Sequence, residues 1–232
     1  LLAALAFTAC NDDNENHDFH FDFGTGYVIQ NNDGDVPVFS PYIIFGIQNG
    51  TLQGGSVKRG STVLAGGTVT PFAYETALSY TNSIDEINGK YDLTATSTEG
   101  TTVNETLYLQ IDKNRILGEM VIEEFTYVNG EVLLRLQTVE NADVYGIFVN
   151  PVSSRIPTNS RFYAWTEEYL PEDGSTEQSF RIPLSSSDLD CEAVRVSPIA
   201  ICASLSGPLV LHGPERVLQK GASSFDPIPE EL

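Results

Sequence analysis

The chain has 232 residues, with 12 Lys and Arg against 32 Asp and Glu, and is 41% hydrophobic with 12 Phe and 10 Tyr. A net charge of −20 gives little electrostatic help to phosphate binding, which argues against a nucleic-acid partner. The apolar content is enough to bury cores and argues against wholesale disorder, and the length suits one large domain or two of about a hundred residues.

Residues 1–9 read LLAALAFTA, an apolar run too short to cross a bilayer, which takes about 20 residues. A run of Leu and Ala without a β-branched residue is also a poor strand. It reads as the end of a signal-peptide core, with the chain taken up inside its precursor. Behind it stand Cys10 and then Asn11-Asp12-Asp13-Asn14-Glu15-Asn16. No Lys or Arg occurs from Leu1 to Val57, while Asp12, Asp13, Glu15, Asp18, Asp22, Asp33 and Asp35 accumulate negative charge.

Phe7-Thr8-Ala9-Cys10 resembles the lipobox of bacterial lipoproteins, with Phe7 where Leu is usual. The acidic stretch after it resembles the export tract of Bacteroidetes-type surface lipoproteins. The resemblance implies that residues 1–9 are removed, that Cys10 is lipidated, and that acyl chains hold the protein in the outer membrane. The expected orientation is towards the cell surface, with the periplasmic face as the alternative. No other segment approaches the length of an apolar membrane span.

Residues 10–36, polar and acidic, are expected to form a flexible tether, with the alternating Phe19, Phe21 and Phe23 pinning its end to the first domain. His17, Asp18 and His20 are metal-ligating types, but a tether would not hold the geometry a metal requires. Asn31-Asn32-Asp33-Gly34-Asp35 concentrates oxygen ligands without the twelve-residue calcium-loop pattern, and reads as a turn. No metal or cofactor is expected.

From residue 37 to 112 short alternating segments are separated by turn signals, which predicts an all-β unit. Tyr91, Leu93 and Ala95 share a face, Thr98-Glu99-Gly100 turns the chain, and Val103, Leu107, Leu109 and Ile111 return. The stretch Ile87 to Thr96 with its acidic turn resembles the last hairpin of bacterial immunoglobulin-like domains. Asp112-Lys113-Asn114-Arg115 is a charged break and the expected boundary. A second all-β unit is expected over residues 119–228, with Asn129-Gly130 as a two-residue hairpin turn. There, Leu134 to Val149, with its Glu140-Asn141-Ala142-Asp143 turn and Tyr-led strand, resembles the second and third strands of fibronectin type III domains. Leu136 stands where that family usually has a Trp. The expected fold is all-β: two tandem immunoglobulin/fibronectin-like β-sandwiches behind an acidic tether.

No nucleophile elbow, P-loop, zinc-helix or dinucleotide motif occurs. Tyr163, Trp165 and Tyr169 are the candidate ligand-binding residues. On a strand they share a side as a stacking platform flanked by Glu167 and Glu168; on a short helix Phe162, Trp165 and Tyr169 pack into a core instead. Cys191 and Cys202 are read as buried free thiols, since a bridge between them requires a bend at Pro198. The apolar loop from Gly207 to Pro214 is expected to pack. These features predict a lipid-anchored, non-catalytic binding, adhesion or assembly module with an unidentified protein or glycan partner. A glycan-binding accessory of a nutrient-uptake system is the alternative, and a glycan-active enzyme the remote one.

Overall fold

The computed structural model describes residues 18–32, 34, 36–64, 67–77, 79–154, 158–166, 177–203, 206–221 and 225–227. Cys10 and Tyr169 lie outside them. The chain divides into two units, Leu1–Asn114 with Ser204–Leu209, and Arg115–Ala203 with Val210–Leu232. Among the described residues both are built from antiparallel strands, with one short helix apiece.

In the first unit, strands β1 (His20–Asn31), β2 (Val38–Gln48), β6 (Ala73–Ala77) and β5 (Gly67–Val69) form one sheet, in the order β1-β2-β6-β5. Strands β4 (Thr62–Leu64), β3 (Leu52–Arg59), β7 (Gly89–Ser97) and β8 (Thr102–Leu109) form the other, in that order. The two face each other as a sandwich. A Cβ on Gly55 of β3 would meet the rings of Tyr74 and Phe45 from the opposite sheet. Those rings stack at 5.0 Å, and Val28, Ile43, Val57, Leu93, Ala95 and Leu109 complete a core closed to solvent.

The expectation of a tether over residues 10–36 is corrected here. His20–Asn31 is a twelve-residue strand paired with β2 from His20↔Gln48 to Asn31↔Val38. The reason lies in alternation: Gly26, Val28 and Gln30 are buried while Thr25, Tyr27 and Ile29 are half-buried, the period of a strand with one face on a core. The acidic composition concealed that period. A register shift between Phe21 and Phe23 marks a bulge at Asp22. Phe21 therefore meets core Phe45 edge-on at 5.2 Å, whereas Phe23 lies over Gly46 on the outer side. Phe19 reaches Gly50, so all three phenylalanines dock onto the first unit. Asn31 closes β1, paired with Val38, and Asp33 and Asp35 lie outside the described residues.

The connection from β6 to β7 carries helix α1 (Ile84–Ile87), and Tyr91, just beyond it, donates its buried hydroxyl to Ile87 O at 2.7 Å. Asn88 ties the same corner to the end of β8, accepting from Ile111 N and donating to Ile111 O. Arg59 donates to Asn88 O at 2.8 Å and sits over the Tyr91 ring. The β7–β8 hairpin turns at Gly100, as the sequence predicts.

In the second unit β9 (Ile122–Val128), β10 (Glu131–Gln137) and β13 (Glu177–Pro183) form a three-stranded sheet in the order β13-β10-β9. Opposite it, β11 (Val144–Val152) lies between β12 (Arg161–Thr166) and β14 (Ala193–Cys202), with β16 (Arg216–Lys220) pairing β14 and β17 (Phe225–Pro227) pairing β16. Tyr145 and Phe180 meet across the sandwich with centroids 5.7 Å apart, and Val132, Leu134, Leu136, Ile147 and Val149 are fully buried around them. Asn129-Gly130 forms the β9–β10 turn with φ of 55° and 88°, which an Asn-Gly pair adopts readily.

The Glu140 to Asp143 turn earns its residues individually. Asn141 takes φ 65° and donates to Ile116 O, and Asp143 accepts from Arg115 and from Ala203 N. Tyr145 accepts from Val139 N at 2.7 Å, its burial raising the phenol above the ordinary range. Cys191 and Cys202 are buried and unbridged. Leu209, Val210 and Leu211 of β15 (Leu209–His212) are buried, so the apolar loop packs.

Candidate functional site

Of the candidate ligand platform, Tyr163 and Trp165 occur on β12, which is a strand rather than the alternative helix. They stand opposite Ile147 and Tyr145 of β11. Cross-strand partners share a face, so Tyr163, half-buried, belongs to the row of core residues. Phe162 is on the other row. Its ring lies against Phe148 at 4.7 Å and covers Gly146. His20 lies at the start of β1 against Asp18 O, and among the described residues no group of three or more His, Cys, Asp or Glu is placed to hold a metal.

A second aromatic surface, which sequence reasoning missed, runs along the outer face of the β1-β2-β6 strands. Phe23, Thr25, Tyr27 and Ile29 alternate outward on β1, beside Ile44 and Tyr42 on β2. Tyr27 and Tyr42 are register partners whose rings meet at 4.8 Å, inclined by 34°. Gly46 leaves room for Phe23, since a Cβ there would come within 2.3 Å of the ring. On β6, exposed Glu75 stands opposite Ile44 and exposed Ala77 opposite Tyr42. Burial, with the Glu75 carboxylate adding, pushes the Tyr27 phenol up to about 12. The sequence signal was present in the period-two run from Phe23 to Ile29. Only the register, however, brings Tyr27 beside Tyr42.

The outer face of the opposite sheet has a different chemistry. Thr94 donates to Asn104 at 2.8 Å, Thr96 and Thr102 share a hydrogen bond at 3.2 Å, and Thr106 reaches Asp92 at 3.4 Å. Lys90 pairs with Asp92 at 2.8 Å, holding that carboxyl below the usual range. These polar groups of β7 and β8 thus satisfy one another along and across the strands.

The corner between β13 and β14 concentrates buried polar groups. Helix α2 (Ser186–Leu189) is capped by Ser185, and Asp188 returns the bond to Ser185 N at 2.6 Å while accepting from Arg161. Cys191 donates to Ser187 O at 3.2 Å. Burial, then the carboxylates of Asp188 and Asp190, push its thiol pKa up, which disfavours the nucleophilic thiolate. These groups are engaged in holding the corner together.

The fold is that of an all-β protein built from antiparallel sandwiches. No family model matches the chain, and no curated protein matches it. Among solved structures it is similar to a DUF3823 family protein from Bacteroides ovatus, with 14% identity over 80% of this chain and 97% of that one and a TM-score of 0.27.

Proposed function

We propose that the protein is a lipid-anchored outer-membrane protein of the Bacteroidetes type, displayed at the cell surface, that acts as a non-catalytic binding or assembly module. The observation that carries this reading is the position of Cys10, behind an apolar signal-like run and only about ten residues before the first strand. A chain of that length reaches at most about 35 Å, so the first sandwich would stay close to the membrane to which the acyl chains bind.

Strand order supports the architectural part of the proposal. The orders β1-β2-β6-β5 and β4-β3-β7-β8 suit an immunoglobulin-like sandwich, and the orders β13-β10-β9 and β12-β11-β14-β16 a fibronectin type III-like one. Tyr91, which bonds back to Ile87 O beside α1, behaves as the tyrosine corner of such folds. The outer aromatic face of β1 and β2 favours the second reading, a glycan-capturing accessory.

Mass spectrometry of the mature protein tests the anchor. Acylated Cys10 as the first residue is the expected result, and an unprocessed or unacylated product would overturn the reading. Protease shaving of intact cells tests the orientation: cleavage is expected for surface display, and full protection would place the protein on the periplasmic face.

A further inference from the structure

We propose that the outer face of β1, β2 and β6 is a docking platform for a neutral glycan chain, a ligand class that deepens, and rests on, the reading of the protein as a non-catalytic binding module. Three rings, Phe23, Tyr27 and Tyr42, are presented on one face of one sheet, and two of them are in contact. At the rise of a strand, Phe23 and Tyr27 are separated by about 13 Å. The rings therefore form a strip, which matches an extended chain of sugar rings better than a compact small molecule held in a cavity. A bulge and a missing side chain both serve this strip: the register shift at Asp22 turns Phe23 outward, and Gly46 gives its ring a seat.

Charge selects among the possible occupants. Strands β1, β2 and β6 contain no Lys or Arg, so the platform offers no cation to an anionic ligand. The net charge of −20 repels polyanions and a second copy of the chain alike. A cationic segment would need carboxylates in number. Of those available, Glu75 stands beside the rings, while Asp22 is engaged by Gln48 at 2.6 Å. A neutral sugar chain satisfies what is present. Its C–H faces cover the rings, and its hydroxyls donate to Glu75 and exchange bonds with Thr25 and the two phenols.

The test is affinity electrophoresis of the full chain in native gels containing amylopectin, xyloglucan, galactomannan or yeast mannan, with polylysine titrated separately. Retardation by at least one of the four is expected, insensitive to added salt. The double variant Tyr27→Thr/Tyr42→Thr removes both rings while keeping β-branched residues on the strands, and at least about tenfold weaker binding is expected. Tyr27→Phe/Tyr42→Phe keeps the rings and removes only the phenol bonds, is expected to bind more weakly than the natural chain but more tightly than the Thr variant, and so separates lost stacking from lost hydrogen bonding. Retardation by none of the four, binding that survives the Thr variants, or salt-sensitive binding to polylysine alone would each overturn the proposal. Failure of anchoring is read separately. A protein with unmodified Cys10 that still binds a glycan sinks the lipoprotein reading only, and an acylated one that binds none sinks only the platform.

Discussion

The two outer faces of the first sandwich are made of the same element and solve opposite problems. On β7 and β8 the outward residues are Lys90, Asp92, Thr94, Thr96, Thr102, Asn104, Thr106 and the exposed Tyr108; hydrogen bonds join Thr94 to Asn104, Thr96 to Thr102 and Thr106 to Asp92 across the strands, and Lys90 pairs with Asp92 along β7. The polar groups of that face satisfy one another. On β1 and β2 the outward residues are Phe23, Thr25, Tyr27, Ile29, Tyr42 and Ile44, all half-buried, with the two tyrosine rings in contact. The difference teaches where a partner has something to gain. Covering the threonine ladder would replace bonds already made, whereas covering the aromatic strip removes apolar surface from water at about 25 cal/mol per Å².

Substitutions break this comparison in a definite order. Gly46→Ala should have the largest effect on stability, because its Cβ would sit 2.3 Å from the Phe23 ring. Relief requires the ring to move, and a loss of about 1–3 kcal/mol is expected in denaturant unfolding, together with weakened glycan binding. Next, Tyr27→Thr with Tyr42→Thr should weaken binding at least about tenfold, equivalent to about 1.4 kcal/mol, and lower the melting temperature through the lost ring contact, whereas Tyr27→Phe with Tyr42→Phe keeps that contact. Thr94→Val on the opposite face should cost about 0.5–1.5 kcal/mol through the lost bond to Asn104 and leave glycan affinity unchanged.

The smallest effect is a pH dependence. The Tyr27 phenol is pushed up to about 12 in the folded protein, above its ordinary value near 10. The folded state therefore holds this proton more tightly than the unfolded chain. Its contribution to stability is complete below pH 10 and is lost as pH rises from about 10 towards 12. Tyr27→Phe should flatten the decline in unfolding free energy over that alkaline window, measured by denaturant melts at successive pH values.

Much of the fold was legible because local chemistry decided it. Asn129-Gly130 and Gly100 adopt positive φ where the sequence placed hairpin turns, and the Asn141-Ala142-Asp143 turn folds through bonds its own side chains make. The first strand was misread because composition outweighed period. Asp18, Asp22, Asp33 and Asp35 suggested a solvated tether, yet Val28 and Gln30 are buried. The bulge at Asp22 also switches the faces on which Phe21 and Phe23 lie, so simple alternation would have assigned them together.

The aromatic platform was less legible for a different reason. Tyr27 and Tyr42 meet only through strand register, and nothing local to either tyrosine announces the other. Gly46 seats the Phe23 ring, a contact that nothing in its neighbouring residues signals. By contrast, the corners were half visible. Tyr91 stood in the stretch singled out as a hairpin, but its bond to Ile87 O depends on α1, and in the second unit a thiol, Cys191, makes the comparable bond four residues back.

The most direct measurement is a calorimetric titration of a neutral oligosaccharide, cut from whichever polysaccharide retards the full chain, into three proteins: the natural chain, Tyr27→Thr/Tyr42→Thr, and Thr94→Val/Thr96→Val. If ligand binding belongs to the aromatic face, the tyrosine variant loses affinity by at least about tenfold and the threonine variant matches the natural chain within about twofold. Equal losses in both variants, or a loss confined to the threonine ladder, would contradict the assignment of binding to β1 and β2.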